Sequence, residues 1–124
     1  MVLHMHAGDP RTLARTVVEE CWADADGVER MRGLLAPGYV HHTAFGEWTF
    51  DQFAAGLEWI ETQFGGRTYA VEHIVCEGDL VAVYLRWSGT RTTDGTAVEG
   101  RGAYHFRHEG GRITEDWDVF FPAG

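Results

Sequence analysis

Three helices packed on one face of a curved antiparallel sheet, an α+β architecture, are predicted by three observations. Apolar residues recur at helical spacing up to Phe64, and alternation with a period of two dominates beyond Gly66. The later segments are joined by short glycine-bearing connections, which suit antiparallel neighbours and a meander. Helices first and strands after place the chain in the α+β class. The 124 residues form a single domain, 1–124, without internal repeat, low-complexity segment or linker. A chain of this length buries roughly two-thirds of the surface its unfolded form exposes, enough for a core and a pocket.

The first helix is predicted to start at Asp9-Pro10, a capping carboxylate followed by proline at the first helical position. Leu13, Val17 and Cys21, flanked by Ala14, Val18 and Trp22, form its apolar stripe, which should end near Asp26-Gly27. A short second helix is expected over Val28 to Leu35, stopped by Pro37-Gly38, and Tyr39-Val40-His41-His42 should be extended. Thr49-Phe50-Asp51-Gln52 reads as a capping box for a third helix carrying Phe53, Leu57, Ile60 and Phe64 on one side.

Four strands are expected after it: Thr68 to Cys76, Leu80 to Ser88, Val98 to His108 and Ile113 to Phe121. Gly110-Gly111 between the last two is a strong hairpin signal, because glycine reaches the positive φ angles of tight turns. A two-residue turn there pairs Glu109 with Arg112, Phe106 with Glu115, His105 with Asp116 and Tyr104 with Trp117. One hairpin face then carries Tyr104, Phe106, Ile113, Glu115, Trp117, Val119 and Phe121, and the other carries Ala103, His105, Arg107, Thr114, Asp116 and Asp118. With Asp94-Gly95 as the preceding turn, Val83 pairs with Phe106. Val81, Val83, Leu85 and Trp87 then extend the aromatic face, which should receive the helices, while Tyr84 and Arg86 extend the charged one.

The formal charge of −9 argues against a nucleic-acid partner or an anionic membrane surface. All ten basic residues are arginine, which excludes a Schiff-base lysine and a lysine-bearing phosphate loop. The longest strictly apolar run, Leu80 to Leu85, cannot span a bilayer, and the N-terminal residues lack the basic and long apolar regions of a secretion signal. Cytoplasmic residence is therefore expected. Cys21 and Cys76 lack a motif and are expected to be free thiols. No metal site is expected, since His41 and His42, like His105 and His108, have opposite parity in a strand.

Leu35-Ala36-Pro37-Gly38-Tyr39-Val40-His41-His42, Glu77-Gly78-Asp79-Leu80-Val81-Ala82-Val83 and Gly110-Gly111-Arg112-Ile113-Thr114-Glu115-Asp116-Trp117, in this order of elements, resemble the SnoaL-like polyketide cyclases. These belong to the nuclear-transport-factor-2-like superfamily, which includes ketosteroid isomerase and limonene-epoxide hydrolase. The resemblance spans nearly the whole chain. It implies a cone-shaped (cystatin-like) fold, an apolar pocket between sheet and helices, and a homodimer formed through the outer sheet face. The cyclases place an acid/base aspartate four residues after the tryptophan of the last strand, where this chain has Phe121, and Asp118 has the wrong parity to replace it.

The resemblance implies cofactor-independent cyclase or isomerase chemistry on a hydrophobic, polyketide- or steroid-like molecule, with a non-catalytic ligand-binding module and a dimerisation unit as the alternatives. Within it, His42 is the first candidate base, because imidazole suits proton transfer near neutral pH. Glu115, among aromatic rings, is the second. Tyr39 and Tyr104 are candidate oxyanion donors, and Trp48, Phe106, Trp117 and Phe121 complete the expected ligand-binding wall. Tyr84, Arg86, His105, Arg107, Asp116 and Asp118 are expected at the dimer interface.

Overall fold

Gly110 and Gly111, with φ of 60° and 79°, make the expected tight turn between two long strands, and the other elements pack around this hairpin. The computed structural model describes residues 9–122, with side chains to 119. Helix α1 (Pro10–Arg15) is capped by the Asp9 carboxylate, which accepts from the Arg11 backbone N–H at 2.9 Å, and continues as a π-helical turn over Thr16–Cys21. Helix α2 (Ala25–Arg32) is capped by Asp24. It begins and ends about three residues earlier than expected, because Asp24 caps better than the downstream sequence does and Gly33 follows the last turn. A Cβ at Gly27 would lie 2.4 Å from the Glu20 carbonyl, so only glycine lets α2 seat on the π turn.

Strand β1 (Leu35–Thr43) and the short β2 (Gly46–Trp48) precede helix α3 (Phe50–Gln63). Both bonds of the predicted capping box hold α3, with Gln52 N–H to Thr49 at 3.2 Å and Thr49 N–H to Gln52 at 2.8 Å. Strands β3 (Phe64–Glu77), β4 (Leu80–Arg91), β5 (Ala97–Glu109) and β6 (Arg112–Pro122) form the meander. The sheet order is β2-β1-β6-β5-β4-β3, with β1 parallel to β6 and the other pairs antiparallel. Pro37-Gly38 lies inside β1, where its pairing with β6 shifts between Leu35 and Val40, and Gly38 takes φ 80°.

Two registers differ from expectation, with unequal consequences. The β4–β5 pairing is displaced by two residues, Val83 facing Tyr104 in place of Phe106. An even shift preserves faces, so Val81, Val83, Leu85 and Trp87 are buried against the helices as predicted. In the β5–β6 hairpin, Glu109–Arg112 and His108–Ile113 pair as expected, but a bulge at Thr114 then pairs Arg107 with Glu115, Phe106 with Asp116, His105 with Trp117 and Tyr104 with Asp118. The shift is odd, so the β6 side chains from Glu115 to Val119 are turned to the other face.

The core between sheet and helices is filled by side chains. Trp22, following the π turn, meets Tyr104, Tyr69 and Phe53 edge-on at centroid distances of 4.8, 5.6 and 6.4 Å. Cys21 is buried, which pushes its thiol pKa up to about 11, and both cysteines are free. Among the described residues, no helix is long and apolar enough to cross a membrane.

Candidate active site

Tyr39 and His41 on β1, Asp116 and Asp118 on β6, and Tyr104 on β5 converge on the helix-facing side of the sheet. Alternation along β1 sends Tyr39 and His41 to this side, and the Thr114 bulge sends the two aspartates to meet them. Asp116 is 0% exposed and His41 1%. His41 Nδ1 lies 2.6 Å from Asp116 Oδ1, and its Nε2 lies 3.3 Å from Asp118 Oδ2. The Tyr39 hydroxyl donates to both Asp116 oxygens at 2.8 and 2.7 Å, and the Tyr104 hydroxyl donates to Oδ2 at 2.8 Å. Phe53 covers the imidazole at 4.0 Å between ring centroids, with Trp48 at 6.0 Å.

The electrostatics follow from this enclosure. Burial alone would lower the pKa of His41, but the two carboxylates outweigh it and raise the pKa to about 9, so the ring is an imidazolium at neutral pH. Burial, and then the Asp116 charge, push the Tyr39 and Tyr104 phenols far upward, so both remain neutral donors. Asp118, 12% exposed in its side chain, is the member of the network nearest to solvent.

His42 and Glu115, the pair expected in the pocket, do come together, with His42 Nε2 3.0 Å from Glu115 Oε2, but on the outer face of the sheet. His42 also lies 3.4 Å from Glu47, and Arg107 donates to Glu115 at 3.2 Å and to Asp79 at 2.7 Å. His42, then Arg107, holds the Glu115 carboxyl below its ordinary pKa, opposite to the raised value its expected aromatic surroundings would give. Trp117 is likewise outside, stacked between His42 and His105 at 4.9 and 4.7 Å with interplanar angles of 9° and 10°.

For Glu115 and Trp117 the physical reason is the bulge, because a straight register would have put both inside; His42 lies outside because alternation along β1 turns its neighbour His41 inward. Asp116 and Asp118 accordingly leave the outer cluster to which the straight register assigned them, while Tyr84, Arg86, His105 and Arg107 remain there. Tyr39, Trp48, Tyr104 and Phe106 lie on the helix-facing side as expected. The Phe121 side chain falls outside the described residues.

The sequence reading missed His41, Asp116 and Asp118. Ile113, Trp117 and Val119 alternate with polar residues in a way that fits the straight register better than the bulged one. The signal that could have found them is the donor set on the other strands. Tyr39, His41 and Tyr104 share the helix-facing side and require an acceptor there.

The model of the SnoaL-like domain matches residues 5–116. No curated protein matches the chain. Among solved structures, the candidate polyketide cyclase IdmH of Streptomyces antibioticus superposes with a TM-score of 0.80 at 24% identity, covering 90% of this chain and 91% of that one. The candidate hydroxylase AclR of Streptomyces galilaeus gives 0.77 at 22% identity, covering 90% and 74%. A hypothetical protein of ketosteroid-isomerase-like fold from Catenulispora acidiphila, solved with trimethylamine, gives 0.73 at 17% identity, covering 86% and 83%. The order of helices and strands, the six-stranded sheet and the match over most of the sequence agree: the chain belongs to the SnoaL-like domain family, with a ketosteroid-isomerase-like fold.

Proposed function

We propose that the protein is a cofactor-independent cyclase or isomerase that acts by acid/base chemistry on a hydrophobic substrate bearing a carbonyl group. The observation that carries this reading is the buried network of Tyr39, Tyr104, Asp116, His41 and Asp118. Burying an imidazolium with two carboxylates costs desolvation energy that well-packed apolar side chains of the same volume would not incur. Groups so perturbed concentrate where proton transfer is needed.

In this reading the acid/base role expected of His42 and Glu115 passes to His41 and Asp118. Asp118, the most exposed member, removes the proton next to the carbonyl. The Nε2–H of His41 turns from its loose 3.3 Å contact with Asp118 to the developing oxyanion. Asp116 and the two tyrosines keep the imidazole charged and oriented.

The test is deuterium incorporation at the α-carbon of 1-tetralone in D2O, followed by NMR. The wild type should exceed the buffer rate, Asp118→Asn should fall back toward it, and His42→Ala should stay near wild type. Loss of exchange in His42→Ala with Asp118→Asn unaffected would overturn the assignment.

A non-catalytic module of the same fold is the second reading, favoured by the way Trp22 fills the space over Tyr104. It predicts buffer-level exchange for every variant and for the wild type.

We infer a homodimer through the outer sheet face, on which Tyr84, Val75 and Val119 are exposed hydrophobic residues beside Arg86, His105 and Arg107. Sedimentation should give twice the chain mass, and Tyr84→Asp with Val75→Asp should give the monomer. A monomeric wild type would contradict it.

A further inference from the structure

A groove on the molecular surface runs along the start of β1, bounded by Leu35, Pro37, Tyr39, Phe50, Arg32 and Arg112, with a volume of about 370 Å³. Its walls are apolar and partly aromatic, with the Tyr39 and Phe50 rings 6.3 Å apart and inclined at 68°. A cleft of this size falls at the lower end of small-ligand sites, which span roughly 300–1,000 Å³.

The two guanidinium groups at its edge differ. Arg32 is committed, lying 4.7 Å over the Phe50 ring and paired with Glu29 and Asp51 at 3.1 Å each. It forms a neutralised wall. Arg112 is not committed in this way.

Eight of the ten arginines have a carboxylate within 4.0 Å; Arg11 and Arg112, among the described residues, do not. Arg112 donates one N–H to the Leu35 carbonyl at 3.1 Å, which holds its guanidinium against the groove wall with further donors unspent. Arg112 is solvent-exposed, so its unspent donors give the groove a positive edge whose planar fork matches a carboxylate.

We propose that this groove binds a small, flat, apolar carboxylate, with Arg112 as its anchor. The carboxylate takes the free edge of the guanidinium, and the ring system lies against Pro37, Tyr39 and Phe50. Tyr39 also donates to Asp116, so the ligand touches one end of the buried network without entering it. Binding does not depend on the catalytic reading above, since a chain that turns nothing over would still bind.

The test uses 2-naphthoate and 2-naphthamide, equal in shape and different in charge, titrated into the protein and followed in 15N–1H spectra. Naphthoate should shift the amides of Gly38, Tyr39 and Arg112 and saturate, with naphthamide weaker at the same place. Arg112→Leu should weaken naphthoate about tenfold or more, the order expected for losing a charge-assisted contact, and leave naphthamide unchanged. Arg112→Gln, which keeps an N–H for the Leu35 carbonyl, should lose naphthoate equally and so separates lost charge from lost structure. Equal affinity for the two probes, naphthoate binding unaffected by either substitution, or shifts confined to other regions would overturn the proposal.

Discussion

The two faces of the sheet carry nearly the same chemistry within two residues of each other in sequence. His41 meets Asp116 on the inner face, and His42 meets Glu115 on the outer one. The inner pair is sealed under Phe53 and fed by two phenols, and the outer pair shares its contacts with Glu47, Arg107 and solvent. Identical partner types therefore acquire different weight: burial makes the inner contact strong and costly to break, while water screens the outer one. A single bulged residue, Thr114, decides which carboxylate belongs to which face.

The largest expected effect tests the inner face. Asp116→Ala leaves an imidazolium and two hydroxyls without their shared acceptor, and should lower the unfolding free energy in urea by about 3–5 kcal/mol. A loss well under 1 kcal/mol would mean that the cluster is hydrated rather than sealed. Next, Tyr39→Phe and Tyr104→Phe each remove one hydrogen bond to a charged acceptor and should cost about 1.5–3 kcal/mol by the same measurement. Trp117→Ala breaks stacking on both imidazoles and should cost a similar amount, about 0.5–1.5 kcal/mol for each of the two ring pairs lost. Smallest, His42→Ala removes a partly exposed ion pair and one of the two stacks on Trp117, and should cost about 1–2 kcal/mol. If His42→Ala cost as much as Asp116→Ala, the contrast between the faces would fail.

The α+β class, the helix-then-meander order, the Asp9 and Thr49 caps and the Gly110-Gly111 turn were legible in the sequence, because local backbone chemistry specifies each. Strand faces were legible wherever the register error was even, as in β4. The candidate site was not, because its residues depend on one inserted position. Alternation on β6 assigns the hydrophobic set, Trp117 and Val119, to the core. In the fold, Trp117 is covered by two imidazoles on the outside, and Asp116 goes inside because Tyr39, Tyr104 and His41 supply the donors that make burial tolerable. Side-chain satisfaction across three strands overrode a period read along one.

The most direct test of this account is the titration of His41 by 15N and 13C NMR of the imidazole, with His41→Gln used for assignment. The ordinary value is 6.5, and the enclosed ring should titrate near 9. Because the folded value is raised, the stabilising contribution is complete below about pH 6.5 and is lost as pH rises through about 9, so urea stability should fall across that window in the wild type. A His41 midpoint at or below 6.5, with stability flat across the window, would contradict the claim that the Thr114 bulge delivers two carboxylates to a buried imidazolium.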